Sequence, residues 1–214
     1  MKIYIEDNIQ DITSAELESM VASLPDWRRE KAMSYRREQG KKECAVSYLL
    51  LCKALREVYG ISEQPRFVIG QHGKPELAWD GILASSSQPS LAGSVPHFNI
   101  SHCKVAVACV VADVDVGIDV ERTGRYSEAM VSYVLNDDEA EKVASSDNPD
   151  VEFTVFWTRK EALVKLTGRG IDDDLKNILV NNKDVKIHTE VHADKGYVMS
   201  VARYKRAIDA IESL

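Results

Sequence analysis

The sequence predicts an α+β protein organised in two halves, and three observations lead there. Apolar residues recur at helical spacing in two long segments, near 41–59 and 151–167, while 97–121 alternates and is rich in valine, the pattern of strands. Between these regions the stretch ASSSQPSLAGSVP, 84–96, is small, polar and bounded by proline, as an exposed connection should be. The expected halves are therefore 1–97 and 98–214. Third, Ala54-Leu55 followed by Gly60 returns as Ala162-Leu163 followed by Gly168, an offset of 108 residues that is close to half the chain.

Each element has a local reason. A strand over 2–6 precedes Thr13-Ser14-Ala15-Glu16, a capping box with Thr13 as N-cap and Glu16 at N3. A second helix starts near Pro25. From about Lys41 to Tyr59 the residues Val46, Leu49, Leu50 and Leu55 mark a core helix, and Gly60 sits where a left-handed cap belongs. In the second half a turn near Ala112-Asp113 separates two strands. Helices are expected over 127–135, 137–145 and 151–167, then strands near 177–181, 185–191 and 196–203.

Composition narrows the chemistry. The formal charge is -7 with 29% charged residues, so bulk attraction to nucleic acid or to anionic membrane is not expected, and a bound anion must be held by local groups. The first residues, Met1-Lys2-Ile3-Tyr4-Ile5-Glu6-Asp7, carry no apolar leader and no stretch approaches a membrane span, which points to a cytoplasmic protein. Cys44, Cys52, Cys103 and Cys109 lack zinc-knuckle or CxxC spacing and read as reduced thiols in apolar surroundings.

Four stretches carry candidate chemistry. On FWTRKEALVK, 156–165, a helical projection with Phe153 at 0° puts Phe156, Leu163, Val164 and Trp157 in one apolar stripe, with Lys160 inside it at about 340°. Trp157, Glu161 and Lys165 form a row along the edge of that stripe. Taken alone, the helix favours an ordinary Glu-to-Lys surface pair, with Lys160 reaching outward along its stem. On VGIDVER, 116–122, strand alternation sends Val116, Ile118 and Val120 to one face and Gly117, Asp119 and Glu121 to the other. Two neighbouring carboxylates suit a hard divalent cation, or a solvated edge, and Gly117 leaves room for a bulky ligand. In FNISH, 98–102, Ser101 and His102 can donate to a phosphate, although as strand neighbours they face opposite ways and form no catalytic pair. Finally Arg28, Arg29, Lys31, Arg36, Arg37, Lys41 and Lys42 concentrate positive charge on an acidic protein, as a phosphate seat or as a solvated helix.

GKP at 73–75, FNISH, GIDVE at 117–121 and FWTRKEALVK, in this order and with REKAMSY at 29–35, closely resemble the Sfp-type 4'-phosphopantetheinyl transferases over nearly the whole chain. The resemblance implies a pseudo-dimer of two similar α+β halves with one active site in the cleft between them. It implies Mg2+-dependent transfer of the phosphopantetheine arm of coenzyme A to a serine of an apo acyl or peptidyl carrier protein, with release of adenosine 3',5'-bisphosphate. Asp119, Glu121 and Glu161 match the magnesium carboxylates, with Glu161 as metal ligand or base. Lys165 matches the pyrophosphate lysine, with Lys160 as further counter-charge. Lys74, Ser101 and His102 match phosphate-contacting positions and Lys31 a seat of the 3'-phosphate, while Arg28 stands where relatives often have lysine. Where relatives often carry an arginine, this chain has Glu43-Cys44 after Lys41-Lys42, which bears on adenine and 3'-phosphate binding.

The resemblance also implies a monomer, with the carrier docking around 122–150, where Arg122 and Arg125 would steer an acidic helix. A metal-dependent nuclease is disfavoured by the four-residue helical spacing of Glu161 and Lys165 and by the overall charge. A module that only binds, with Asp119 and Glu121 facing solvent, is the other alternative.

Overall fold

Capping chemistry sets the first elements of the computed structural model, which describes residues 1–70, 73–78, 95–168, 170 and 175–205. Strand β1 (Lys2–Glu6) leads to helix α1 (Ser14–Ser23), whose N-cap Thr13 and N3 residue Glu16 satisfy each other's backbone N–H groups as expected. Helix α2 (Asp26–Met33) starts after Pro25, and α3 (Glu38–Tyr59) is the long core helix. It begins earlier than the apolar period alone indicated and ends on Gly60 at φ +68°, a left-handed turn that glycine adopts without strain. A short pair, β2 (Phe67–Ile69) and β3 (Pro75–Leu77), precedes the hairpin β4 (His97–His102) and β5 (Val107–Ala112). Most of the expected loop, 84–96, lies outside the described residues.

The second stretch of chain repeats this plan. Strand β6 (Val116–Arg122) is followed by α4 (Glu128–Val134), α5 (Asp137–Ala144) and α6 (Pro149–Thr167), then by the hairpin β7 (Val185–His192) and β8 (Tyr197–Tyr204). Residues 177–181, read from sequence as a strand, instead form a 3-10 turn (Leu175–Asn177) and one helical turn α7 (Ile178–Asn181), with Leu175 and Ile178 buried in the α6 core. Those two apolar residues three apart serve a helical turn, and the window was too short for periodicity to separate the two states.

Two compact units result, Met1–Asp113 and Val114–Leu214. The division falls after β5 rather than after residue 97, because β4 pairs with β5 and β5 pairs with β1, so the FNISH strand belongs to the first sheet. Each unit, taken by itself, has a three-stranded antiparallel sheet with the last strand in the centre: β1-β5-β4 in the first and β6-β8-β7 in the second. Each packs one long helix on that sheet, α3 with Val46, Leu50, Leu51 and Leu55, and α6 with Phe153, Phe156 and Leu163. Among the described residues no helix is long and apolar enough to cross a membrane. All four cysteines are free thiols, and Cys109, sealed inside β5, has its pKa pushed up to about 12 by burial.

Candidate active site

Gly117 decides how β6 meets α6. A Cβ there would overlap the carbonyl oxygen of Ala162 and the backbone nitrogen of Leu166, so the two backbones lie in close approach. The space that sequence reasoning assigned to a bulky ligand is filled by helix α6. The same alternation that turns Gly117 toward α6 turns Asp119 and Glu121 that way too, while Val116, Ile118 and Val120 are buried on the other face.

The edge row of α6 meets these acids. Lys165 Nζ donates to Asp119 Oδ1 at 2.7 Å, and Asp119 is only 4% exposed. Glu121 Oε1 accepts from Arg125 Nη1 at 2.8 Å and from the indole Nε1 of Trp157 at 3.4 Å. Glu161 Oε1 is buried and has no hydrogen-bond partner among the described residues. Burial is the main cause that raises the Glu161 pKa; the Asp119 charge adds to it, Lys165 opposes it, and Glu121 contributes further in the raising direction. The helix row and the strand row thus bring Asp119, Glu121, Glu161 and Lys165 together within the second unit.

Lys160 departs from its expected place. It is 0% exposed, and its ammonium bonds Glu139 Oε2 at 2.6 Å and the carbonyls of Leu175 at 3.0 Å and Lys176 at 2.6 Å. Neither a snorkelling side chain nor a counter-charge for a phosphate, it ties α5, α6 and the 3-10 turn together. Glu139 also closes the α5 capping box with Asn136, so one carboxylate serves a helix cap and a buried ion pair.

The donor set suits a hard divalent ion in composition: three carboxylates, among them Glu161 with a buried oxygen that none of the described residues satisfies. Among the described residues no three His, Cys, Asp or Glu side chains close around a single point as they stand. Lys165 and Arg125 neutralise two of the acids, and the raised pKa of Glu161 relieves the third.

The first unit holds a separate cavity of about 300 Å³. One face of α3 forms its wall, Gly40, Glu43, Cys44, Ser47 and Tyr48, at the three- and four-residue spacing of a helix, opposite Phe98, Asn99, Ile100 and His102 of β4. Phe67 completes an aromatic lining, its ring 6.2 Å from that of Tyr48 and 5.5 Å from that of Phe98. The Arg28 guanidinium lies 5.7 Å over Tyr48 and donates to Cys44 O at 3.0 Å. Its Nε and the hydroxyl of Ser47 are buried without hydrogen-bond partners among the described residues.

Of the phosphate contacts implied by resemblance, Arg28 and His102 line this cavity; Lys31, Lys74 and Ser101 do not. The Lys31 ammonium sits 5.4 Å over the Tyr35 ring, Lys74 is half-buried at the start of β3, and Ser101 is buried on the opposite side of β4 from His102. Sequence reasoning missed Ser47, Tyr48, Phe67 and Asn99. The 3–4 spacing of Glu43, Cys44, Ser47 and Tyr48 on α3 was the available signal, hidden because the same helix also buries Val46, Leu50 and Leu55. A larger cavity of about 610 Å³ runs along α1; Arg29, Arg36 and Lys41 of the basic cluster line it, but none of the site residues implied by resemblance does.

Comparison with known proteins finds similarity over the elements that carry this site. The family description "4'-phosphopantetheinyl transferase superfamily" matches residues 115–203, which include β6 and α6. A Bacillus subtilis 4'-phosphopantetheinyl transferase is 24% identical over 188 residues, 86% of this chain and 78% of its own length. The 4'-phosphopantetheinyl transferase Sfp of Bacillus subtilis strain 168 is 23% identical over 94% of this chain and 91% of its own. Over residues 115–203 this chain is similar to the 4'-phosphopantetheinyl transferase superfamily, and over most of its length to Sfp-type 4'-phosphopantetheinyl transferases. A yeast relative, L-aminoadipate-semialdehyde dehydrogenase-phosphopantetheinyl transferase, is 27% identical over 82% of this chain and 65% of its own length. The acids of β6 and the Glu161–Lys165 row of α6 both fall inside the matched segment.

Proposed function

We propose that this enzyme transfers the phosphopantetheine arm of coenzyme A to a serine hydroxyl of an apo acyl or peptidyl carrier protein, with Mg2+, and releases adenosine 3',5'-bisphosphate. The observation that carries this reading is Glu161, a buried carboxylate with an unsatisfied oxygen beside Asp119 and Glu121. Asp119, Glu121 and Glu161 are the residues that would hold Mg2+. When bound, the ion neutralises diphosphate charge and stabilises the departing phosphate oxygen.

The chain's own groups do the remainder. Glu161, with its raised pKa, is placed to accept the serine proton, directly or through water. The serine oxygen then bonds the phosphorus nearest the pantetheine, and the bridging phosphorus–oxygen bond breaks with its electron pair on the nucleotide side. Lys165, already on Asp119, supplies positive charge for that leaving group. Trp157 and Arg125 hold Glu121 in place from two directions.

The aromatic cavity of the first unit, with Arg28, is the seat we assign to the adenosine end of coenzyme A. Its volume of about 300 Å³ is that of a small ligand pocket, and Tyr48 and Phe98 offer apolar faces to a flat base. The shared strand order of the two units, each compared by itself, supports descent from a duplicated half and so the pseudo-dimer reading. A monomer in the cytoplasm, docking acidic carriers through Arg122 and Arg125, completes the proposal.

Intact-mass spectrometry tests it. Apo carrier proteins of the acyl and peptidyl kinds, incubated with the full chain, coenzyme A and Mg2+, should gain the mass of one phosphopantetheine, and chelation of the metal should abolish the gain. No gain on either kind of carrier overturns the reading.

A further inference from the structure

Two cations stand on the acid cluster of the second unit, and they are not held alike. Lys165 reaches Asp119 from α6, and that pair is largely buried: the Asp119 side chain is 5% exposed and that of Lys165 29%. Arg125 comes instead from the connection between β6 and α4, and half of its side chain is exposed where Nη1 donates to Glu121 Oε1. Its charge also reaches Glu161, where burial is the main cause of the raised pKa and Arg125 acts against it. Arg122, which follows Glu121 on β6, is sent to the other face by strand alternation.

A half-exposed ion pair four residues apart is ordinarily weak and incidental. The backbone on either side of Arg125 makes this one specific. Asp150, in the first turn of α6, accepts from Gly124 N with Oδ2 at 2.6 Å and from Tyr126 N with Oδ1 at 3.1 Å, so its two oxygens clasp both neighbours of Arg125. Thr123 N donates to Gly196 O at 3.0 Å, and the Tyr126 ring stands edge-on to buried Phe153 at 6.2 Å. Gly124 turns the chain at φ +92°, a left-handed conformation that glycine adopts freely. The backbone of Arg125 is therefore fixed, while its guanidinium lies at the solvent edge and is the part that can move.

We infer that Arg125 is a resident cation that gives up Glu121 when a divalent ion is bound, and that it thereby sets how tightly the enzyme holds that ion. The inference rests on the acid cluster proposed above as the metal site. A guanidinium and a divalent ion compete for the Glu121 carboxylate and repel each other. Of the two resident cations Arg125 is the one able to leave, because water can solvate it, whereas moving Lys165 would leave Asp119 buried without that cation. Trp157 Nε1, 3.4 Å from the same Glu121 oxygen, keeps the carboxylate aimed once Arg125 has gone. The released guanidinium stays tethered beside the site by Asp150, in the segment proposed to meet acidic carriers.

Calorimetric titration of Mg2+ into the full chain, alone and with coenzyme A present, tests this in the wild type, Arg125→Gln and Arg125→Lys. Arg125→Gln removes the competing charge and should bind the ion about tenfold more tightly, the size expected for a unit charge within a few ångströms of a divalent ion even when screened as in water. Arg125→Lys keeps the charge and should stay close to the wild type. An Arg125→Gln affinity equal to the wild type or weaker overturns the inference and leaves the metal site standing; an Arg125→Lys affinity as tight as that of Arg125→Gln overturns it too. In side-chain nitrogen NMR spectra of the wild type, the Arg125 guanidinium should pass from restrained to freely rotating when Mg2+ is added. A guanidinium still held in the loaded protein overturns the inference by itself, whether or not the variants fold. No binding of Mg2+ by the wild type, with or without coenzyme A, overturns instead the metal site on which the inference rests.

Discussion

The two units solve the same geometric problem with opposite charge. In the first, Tyr4 at the middle of edge strand β1 meets Lys53 and Glu57 of α3: its hydroxyl donates to Glu57 Oε2 at 2.9 Å and the Lys53 ammonium lies 6.0 Å over its ring. In the second, Asp119 at the middle of edge strand β6 meets Glu161 and Lys165 of α6, which stand 108 residues after Lys53 and Glu57. The first trio is mutually satisfied. The second places a carboxylate where the first has an aromatic ring and another where the first has an ammonium, and it leaves Glu161 Oε1 without a partner. A scaffold repeated twice becomes a candidate reactive centre only in the copy whose charges do not close among themselves.

The largest effect expected from breaking that contrast is on transfer. Glu161→Gln should lower phosphopantetheinyl transfer by about 10²–10⁴-fold, the range for loss of a proton-transfer group, while coenzyme A binding by calorimetry stays within a few-fold. Lys53→Gln, the counterpart in the first unit, should leave transfer at the wild-type rate. Next in size is the buried pair. Lys160→Met leaves Glu139 buried without its cation and should cost about 3–5 kcal/mol in chemical denaturation. Gly117→Ala should cost about 1–3 kcal/mol in the same assay, because α6 must move off β6, and transfer should fall with it as Glu161 and Lys165 lose register with Asp119.

Smaller effects sharpen the comparison. Arg28→Ala should weaken coenzyme A binding by about tenfold with kcat little changed, since the residue touches only the assigned adenosine seat. The pH response should be mild and of one sign. Glu161 keeps its proton to higher pH folded than unfolded, so metal-free protein loses stability as pH rises from the ordinary carboxylate range through the raised value. With metal chelated, thermal melts of wild type and Glu161→Gln should therefore converge at low pH, with the variant the more stable above that range.

Strand alternation in GIDVE and helical spacing in FWTRKEALVK placed Asp119, Glu121, Glu161 and Lys165 correctly within their elements, because both signals are local. That the two rows meet was not local. It follows from Gly117, whose missing side chain admits the α6 backbone, and sequence alone read that gap as space for a ligand. Lys160 was misplaced for the same reason, as its partner Glu139 and the Leu175 and Lys176 carbonyls come from separate elements. The cavity of the first unit was legible only through the single residues Arg28 and His102, since its aromatic lining is assembled from α3, β2 and β4.

Calorimetric titration of coenzyme A into the full chain, with Mg2+ and with the metal chelated, in wild type and in Asp119→Asn, is the most direct test of the acid cluster. Binding should tighten by about tenfold or more with Mg2+ in the wild type and lose that gain in the variant. Binding that is indifferent to Mg2+ in the wild type would contradict the assignment of Asp119, Glu121 and Glu161 as one metal and diphosphate site.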